Sequence, residues 1–215
     1  MSIKAVLFDL DGVIVTTDDC HYQAWRHMAD EEGIYFDRQI NERLRGVSRM
    51  ESLDILLERS PRVYSEVEKE ALATRKNEHY KQLIHKLTAA DILPGVMPIL
   101  EELKHCGIKI AIASSSKNTP LILKGIGLSN YFDAVADGND IKKSKPDPEV
   151  FLLAAQRVST LPEYCLVVED ADAGVEGALV GGMKVLGVGA AAKNNKATLV
   201  ADDLSAISVT NILSL

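Results

Sequence analysis

The sequence predicts an α/β protein: a doubly wound parallel sheet with an α-helical cap domain inserted after its first strand. Short runs of apolar and β-branched residues alternate with amphipathic helical segments from about residue 93 onward, which is typical of a parallel sheet with right-handed crossovers. A further run of this kind lies far from the others, at residues 5–8. The segment between them is helical in pattern and much longer than the crossover of about a dozen residues that parallel strands need.

The predicted elements follow one another along the chain. The strand at residues 4–10 and the inserted segment precede strands at 108–114, 132–137, 165–170 and 183–189. Helices are expected near 96–105, 118–127, 148–157 and 172–181, and a loop at 190–197.

The inserted segment carries apolar residues at helical spacing and more charge than the rest of the chain. It predicts a cap domain over residues 17–88, with a core domain formed by 1–16 and 89–215. Pro94-Gly95 marks the return of the chain to the core. The expected cap helices lie within residues 21–33, 36–44, 49–59 and 65–87.

Composition and charge exclude several classes of protein. Of the 215 residues, 47% are apolar and 26% charged, as in a globular protein with a substantial core. A formal net charge of -7 offers no basic surface to nucleic acid or to an anionic membrane. No apolar run is long enough to span a membrane, and residues 1–8 lack a signal-peptide pattern. The three widely spaced cysteines suit free thiols in a reducing cytoplasm, where we expect the protein. We also expect a monomer, and from the charge and the lack of an apolar span no nucleic-acid or membrane partner.

Two carboxylates, Asp9 and Asp11, follow the first predicted strand, and Gly12 then allows the backbone to turn. Residues two apart in an extended chain point to the same side, so both carboxylates are expected to face one small volume. Such a pair is unfavourable unless a cation, or a proton shared with a substrate, relieves the repulsion. A solvated strand end is the structural alternative, and the other strand ends argue against it.

The other strand ends carry polar residues of three kinds. A hydroxyl cluster at 114–116 follows the second strand, Lys145 lies in the loop after the third, and Glu169-Asp170 ends the fourth. Each alone fits a structural role, as a helix cap or a solvated charge. In open α/β sheets, ligands bind beyond the carboxyl ends of the strands. The occurrence of these polar residues at successive strand ends therefore predicts a single site.

The residue types in this site suit phosphoryl transfer. Phosphate needs hydroxyl and amide donors and a positive charge, which Ser114, the following helix start and Lys145 provide. One carboxylate, Asp9, can attack phosphorus, and a second, Asp11, can move the proton of the leaving or attacking hydroxyl. The all-oxygen set suited to Mg²⁺ consists of Asp9, Glu169 and Asp170.

Taken together and in this order, these motifs resemble those of the haloacid dehalogenase superfamily. The residues that carry the resemblance are FDLDGV at 8–13, Ser114, Lys145-Pro146-Asp147 and Glu169-Asp170. Within the superfamily, the chain is most similar to mutases that act on β-glucose phosphates. The segments that carry this similarity are 11–25, 41–54, 74–80, 113–118, 144–151 and 167–175, and the resemblance covers essentially the whole chain.

The resemblance implies roles for the residues at the strand ends. Asp9 would be the phosphorylated nucleophile and Asp11 the general acid and base. Ser114 and Lys145 would hold the transferring phosphoryl group. The implied Mg²⁺ ligands are Asp9, Asp11, Glu169 and Asp170.

The resemblance also implies roles in the cap. Thr17 and His21 would couple closure of the cap to the position of Asp11. A mutase must bind a bisphosphate in either orientation, and Arg49 offers a second phosphate site; a solvated arginine at a helix start is the alternative. Without the family, His21 and Trp25 would be interpreted as cap packing. The implied substrate-binding residues are Trp25, Gly46, Val47, Arg49, Ser52, Lys76, Ser116, Lys117 and Asn118.

The implied activity is the Mg²⁺-dependent interconversion of β-D-glucose 1-phosphate and D-glucose 6-phosphate through the 1,6-bisphosphate. A capped sugar phosphatase of the same superfamily and a non-catalytic phosphosugar sensor remain alternatives. Three positions depart from the family pattern. The family usually has an acidic residue where this chain has Thr16, a lysine where it has Arg45, and a serine where it has Ala171.

Overall fold

The computed structural model describes residues 2–44 and 48–215, and the chain divides into two compact units. The first unit consists of Met1–Thr16 and Thr88–Leu215, and the second consists of Thr17–Leu87. Each unit has its own buried hydrophobic cluster. In the described residues, no helix has both the length and the apolar composition that crossing a membrane requires.

The first unit is built on a parallel sheet, which confirms the predicted fold class. Within the described residues the sheet has six strands in the order β3-β2-β1-β4-β5-β6. The strands are β1 Ala5–Phe8, β2 Lys109–Ala113, β3 Ala134–Ala136, β4 Cys165–Glu169, β5 Lys184–Gly187 and β6 Leu199–Val200.

The helices lie between and after these strands. Those of the second unit are α1 Asp18–Glu31, α2 Arg38–Glu42, α3 Arg49–Leu57 and α4 Glu66–Ile84. Those of the first unit are α5 Val96–His105, α6 Thr119–Gly125, α7 Glu149–Arg157, α8 Asp172–Val180 and α9 Val209–Leu213.

The central strand β1 sets the position of the strand ends. It is buried along its whole length and pairs with β2 on one side and β4 on the other. Phe8 is in register with both Ile112 and Val168, so the three strands end at nearly the same level. The chain runs outward from β1 in one direction through β2 and β3, and in the other through β4, β5 and β6. Ligand sites in open α/β sheets lie at such a reversal of strand order.

Helices α7 and α8 cover one face of the sheet. Phe151 of α7 and Val175 of α8 are fully buried against Leu7 and Val167 of the central strands. Burying a side chain of this size contributes about 1.5–3 kcal/mol, so this cluster fixes the helices that follow β3 and β4.

The second unit is a helical cluster in which α1, α3 and α4 pack together. Met28 of α1, Leu53 of α3 and Leu72 of α4 belong to its hydrophobic core. The serine hydroxyls of Ser48 and Ser65 accept from backbone N–H groups at the starts of α3 and α4, and both form capping boxes. These caps satisfy donors that have no partner inside the helix.

Two parts of the first unit differ from the sequence-based expectation. The loop expected at 190–197 begins with a short 3-10 helix, Gly189–Lys193. The strand β6 and the helix α9 were not predicted, because two and five residues are too short for a periodic pattern to be recognised.

Candidate active site

The carboxyl ends of β1, β2 and β4 bring three polar residues to one edge of the sheet. Asp9 follows β1 and donates its backbone N–H to Val168 at 3.0 Å. Ser114 follows β2, and Glu169 is the last residue of β4. All three are buried, and buried polar groups are unfavourable unless they have partners.

Lys145 supplies the partner for both carboxylates. Its Nζ donates to Oδ1 of Asp9 and to Oε1 of Glu169, each at 2.7 Å, and its side chain is 9% exposed. Burial alone would lower the pKa of Lys145, but the two carboxylates raise it well above its ordinary value. The ammonium group therefore stays charged and holds Asp9 and Glu169 at fixed positions.

The carboxylates around Lys145 carry more negative charge than its single positive charge can neutralise. Asp9, Glu169 and Asp170 each offer a carboxylate oxygen, and these oxygens lie within 4.8 Å of one another. Burial and the neighbouring Asp9 raise the pKa of Glu169 to about 7. Burial and the charges of Glu169 and Asp9 raise the pKa of Asp170 to about 8. A cluster of carboxylates whose ionised forms repel one another fits a divalent cation with oxygen ligands.

Two glycines leave room for these carboxylates. A Cβ atom at Gly174 of α8 would lie 1.6 Å from Oε1 of Glu169, and one at Gly12 would lie 2.1 Å from Oδ2 of Asp170. Gly12 also has a φ of +84°, a conformation that residues other than glycine rarely adopt. Its N–H donates to Val15 at 2.7 Å and closes the turn that carries the half-buried Asp11.

The hydroxyl cluster after β2 forms a compact turn. Ser114 Oγ accepts from the backbone N–H of Ser116, and Ser116 Oγ accepts from that of Asn118, each at 3.2 Å. A hydroxyl that accepts in this way keeps its own proton for a further acceptor. Lys117 is exposed beside it, and Asn118 is half-buried at the start of α6.

A second polar cluster lies in the second unit. Lys76 of α4 is 2% exposed, and its Nζ lies 2.8 Å from Nδ1 of His21 on α1. Because an ammonium group only donates, Nδ1 of His21 accepts. Burial, together with the charges of Lys76 and Arg49, holds the pKa of His21 well below its usual range. Burial also lowers the pKa of Arg49, so the positive groups here are partly removed from water and suit an anion.

The ammonium group of Lys76 also contacts two aromatic rings. Its Nζ lies 4.7 Å from the ring centroid of Trp25 and 4.8 Å from that of Tyr80. The hydroxyl of Tyr80 donates to Oγ1 of Thr17 at 2.9 Å. The ring of Tyr80 lies against that of His21 in a tilted arrangement, with centroids 4.1 Å apart and an angle of 33° between the planes. Tyr80 was missed by the sequence reasoning. Its position four residues after Lys76, on the same helix face, was the available signal.

The remaining predicted residues are distributed as follows. Ser52 is buried on α3, and Trp25 is 2% exposed within the hydrophobic cluster of the second unit. Gly46 and Val47, predicted to line a sugar site, lie outside the described residues. Where the family usually has serine, Ala171 directs its backbone N–H toward Oε2 of Glu169 at 3.4 Å, a contact that does not depend on the side chain.

Comparisons with known proteins show the family to which the chain belongs. A family model described as haloacid dehalogenase-like hydrolase matches residues 6–188. The chain is 46% identical over 189 residues to β-phosphoglucomutase of Bacillus subtilis, covering 87% of this chain and 84% of the relative. It is 32% identical to a phosphorylated carbohydrates phosphatase of Thermotoga maritima, over 99% of this chain and 97% of that protein.

A solved structure gives the same result. The crystal structure of β-phosphoglucomutase from Clostridium difficile superposes with a TM-score of 0.91 at 42% identity, covering 99% of this chain and 96% of that one. These homologues are enzymes, and together with the acidic cluster they imply a metal cofactor. The predicted resemblance is confirmed, and the chain belongs to the haloacid dehalogenase-like hydrolase family.

Proposed function

We propose that the chain is an Mg²⁺-dependent mutase that interconverts β-D-glucose 1-phosphate and D-glucose 6-phosphate through β-D-glucose 1,6-bisphosphate. The observation that carries this proposal is the buried contact of Lys145 with Asp9 and Glu169, at 2.7 Å each, beside Asp170. The similarity to two proteins named β-phosphoglucomutase supports the choice of substrate.

Asp9 is the proposed nucleophile. Lys145 holds Oδ1 of Asp9, and we assign the attack on phosphorus to Oδ2. With the bisphosphate as donor, a bond forms between this oxygen and phosphorus while the bond from phosphorus to the C1 oxygen of the sugar breaks. Asp11 gives a proton to that departing oxygen, and glucose 6-phosphate is released. In the other half of the reaction Asp11 takes the proton of the 6-hydroxyl of β-D-glucose 1-phosphate. The oxygen of that hydroxyl attacks the aspartyl phosphate, the bond from phosphorus to Asp9 breaks, and the bisphosphate forms again.

The remaining groups of the first unit stabilise charge on the transferring phosphoryl group. We assign this role to the ammonium of Lys145 and the hydroxyl of Ser114. Asp9, Asp11, Glu169 and Asp170 would hold Mg²⁺, which when bound supplies positive charge to the phosphoryl oxygens.

The second unit is the proposed cap domain, and its positive cluster is the proposed site for the phosphate that does not react. Arg49 is half-buried in the same unit as Lys76, whose ammonium group contacts the neutral ring of His21, so an anion would offset the positive charges of Arg49 and Lys76. Ser52 and Trp25, with Gly46 and Val47, stay predicted sugar-site residues. Thr17 stays predicted to couple cap closure to Asp11, and Ser116, Lys117 and Asn118 stay predicted phosphate contacts of the first unit.

The experiment that tests the proposal follows product formation from β-D-glucose 1-phosphate with a trace of the bisphosphate. A mutase forms glucose 6-phosphate with little free phosphate, whereas a sugar phosphatase releases phosphate in step with substrate loss. The second outcome would replace the mutase assignment, and a relative named as a phosphatase makes it the natural alternative. If no turnover of either kind occurred, the chain would be assigned as a non-catalytic phosphosugar sensor. We further propose a cytoplasmic monomer, which size-exclusion chromatography of the purified chain tests for its oligomeric state.

A variant of the cap separates the two phosphate roles. Arg49→Ala should impair transfer from the aspartyl phosphate to β-D-glucose 1-phosphate by a hundredfold or more, on the order of the few kcal/mol of a charge-assisted contact in a closed site. Phosphorylation of Asp9 by acetyl phosphate, which has no second phosphate, should change little. The matched control is Arg43→Ala, which removes an exposed arginine of the same unit that pairs with Glu58 at 2.8 Å. Normal isomerisation by Arg49→Ala would refute the second phosphate site.

A further inference from the structure

Lys145 occupies its position although it lies in a long irregular connection. Strand β3 ends at Ala136 and helix α7 begins at Glu149, so neither a strand nor a helix fixes the backbone of Lys145. Its Nζ nevertheless meets two carboxylates at 2.7 Å each. A loop that presents a charged group this accurately needs contacts of its own.

The side chain of Glu149 provides such contacts. Its Oε2 accepts from the backbone N–H of Lys142 at 3.1 Å and from that of Lys143 at 2.9 Å. Hydrogen bonds to a carboxylate are about twice as strong as those between neutral groups. The first residue of α7 thereby holds the backbone just before Ser144-Lys145.

The following part of the loop is held as well. Asp147 Oδ1 accepts from the backbone N–H of Glu149 at 3.0 Å. On the side facing α8, a Cβ atom at Gly177 would lie 2.9 Å from the carbonyl oxygen of Pro146, so this helix lies directly against the residue after Lys145. The ring of Phe151 lies 4.9 Å from Nζ of Lys145. Glu149 therefore holds residues 142–143, a part of the loop that these contacts of α8 and Phe151 do not reach.

We propose that Glu149 is a positioning residue for phosphoryl transfer, acting through Lys145: its carboxylate binds the backbone of 142–143 and thereby fixes the ammonium group between Asp9 and Glu169. The inference rests on the function proposed above. Glu149 itself touches neither Asp9 nor the phosphoryl group in this role. Its effect is large because a misplacement of about 1 Å in a catalytic group can cost on the order of a hundredfold in rate.

The test is a double-mutant cycle on the full-length chain. The measured quantity is the single-turnover rate of Asp9 phosphorylation by acetyl phosphate with saturating Mg²⁺, in wild type, Glu149→Ala, Lys145→Ala and the double variant. Glu149→Ala should slow the wild-type reaction by about ten- to a hundredfold. In the Lys145→Ala background the same change should alter the rate by less than about twofold, because residues that act as a unit are not additive.

Two further variants distinguish positioning from general damage. Glu149→Gln keeps an amide oxygen that can accept the same two N–H groups and should recover most of the wild-type rate. Asp133→Ala removes a carboxylate that accepts a backbone N–H from Ile110 at 2.9 Å. Asp133 precedes the amino end of β3, whereas the site lies at the carboxyl ends of the strands. It should leave the phosphorylation rate within about twofold in both backgrounds.

Each remaining result decides against the proposal. If Glu149→Ala slows the reaction by the same factor with and without Lys145, its role is structural. If it has no effect in the wild-type background, or if Glu149→Gln is as slow as Glu149→Ala, the oxygen contacts do not position Lys145. Failure of the proposed function is distinguishable. A non-catalytic chain would form no aspartyl phosphate in wild type, and a phosphatase would form it but would release free phosphate from β-D-glucose 1-phosphate in the turnover assay.

Discussion

Lys145 donates a 2.7 Å hydrogen bond to Asp9, a residue 136 positions away in the chain. The same Nζ reaches Glu169, so one buried ammonium group joins β1, the β3–α7 loop and β4. Buried ion pairs add little net stability, but removal of one partner leaves the other charge buried and uncompensated. This contact therefore links the stability of the first unit to its chemistry.

Replacement of Lys145 should destabilise the chain as well as slow phosphoryl transfer. Lys145→Ala leaves Asp9 and Glu169 without their cation, so the free energy of unfolding should fall by about 3–5 kcal/mol in metal-free buffer. Urea denaturation measures this, and added Mg²⁺ should restore part of the loss. The control Lys109→Ala, which removes an exposed ion pair with Asp133, should cost about 1 kcal/mol or less. Equal losses in the two variants would contradict a buried, strongly coupled Lys145.

The two aspartates after β1 should be separable by the choice of phosphoryl donor. Asp11→Ala should slow mutase turnover by about a hundredfold or more, because a positioned acid and base is lost. Acetyl phosphate has a good leaving group, so aspartyl-phosphate formation from it should suffer less; intact mass measures the phosphorylated chain. Asp9→Asn, the comparison variant, should form no phosphorylated species with either donor. Equal losses with both donors in Asp11→Ala would count against the acid and base assignment.

Gly174 should be required for the metal cluster. Alanine in a helix interior is usually more stable than glycine by about 1 kcal/mol, but a Cβ atom here would lie 1.6 Å from Oε1 of Glu169. Gly174→Ala should therefore lower both the unfolding free energy and the apparent Mg²⁺ affinity, measured by denaturation and by activity against Mg²⁺ concentration. Gly181→Ala, where the nearest atoms lie at 3.3 Å, should change neither appreciably. An unchanged Mg²⁺ dependence in Gly174→Ala would show that Glu169 is free to move.

Acid should destabilise the chain partly through His21. Burial and the charges of Lys76 and Arg49 hold the folded-state pKa of His21 well below 6.5, whereas the unfolded chain takes up this proton near the ordinary value. The unfolded state therefore binds more protons just below pH 6.5, and stability falls as the pH decreases through that value toward the folded pKa. The stability that the neutral His21 contributes is fully present above pH 6.5.

Urea denaturation at pH 7.5 and 5.5 tests this for wild type and His21→Gln. The variant should lose less unfolding free energy between the two pH values than wild type does. His105→Gln, which changes an exposed histidine at the end of α5, should keep the wild-type difference. If His21→Gln also kept it, the histidine would not be buried in its neutral form.

The positions of Asp9 and Asp11 illustrate what could be read directly from the chain. A strand followed by carboxylates two residues apart predicts that they share one side, and alternating strand and helix patterns predict a parallel sheet. The order of the motifs at Ser114, Lys145 and Glu169 then identified the family. Each of these inferences uses residues that are neighbours in sequence or that repeat with a local period, so local geometry was sufficient.

The tertiary structure decided which distant side chains meet. Lys145 could be assigned to one edge of the sheet from sequence, but only the fold shows that it bridges Asp9 and Glu169, with Glu149 holding its loop. In the sequence, Gly174 is only a residue without a side chain in a helical pattern. The structure shows that the carboxylate of Glu169 occupies the space that a side chain would fill. Sequence by itself determined the fold class, the family and the donor types, because these follow from local periodicity and motif order. Distances, burial and charge compensation depend on packing between segments far apart in the chain, and only the folded protein fixes them.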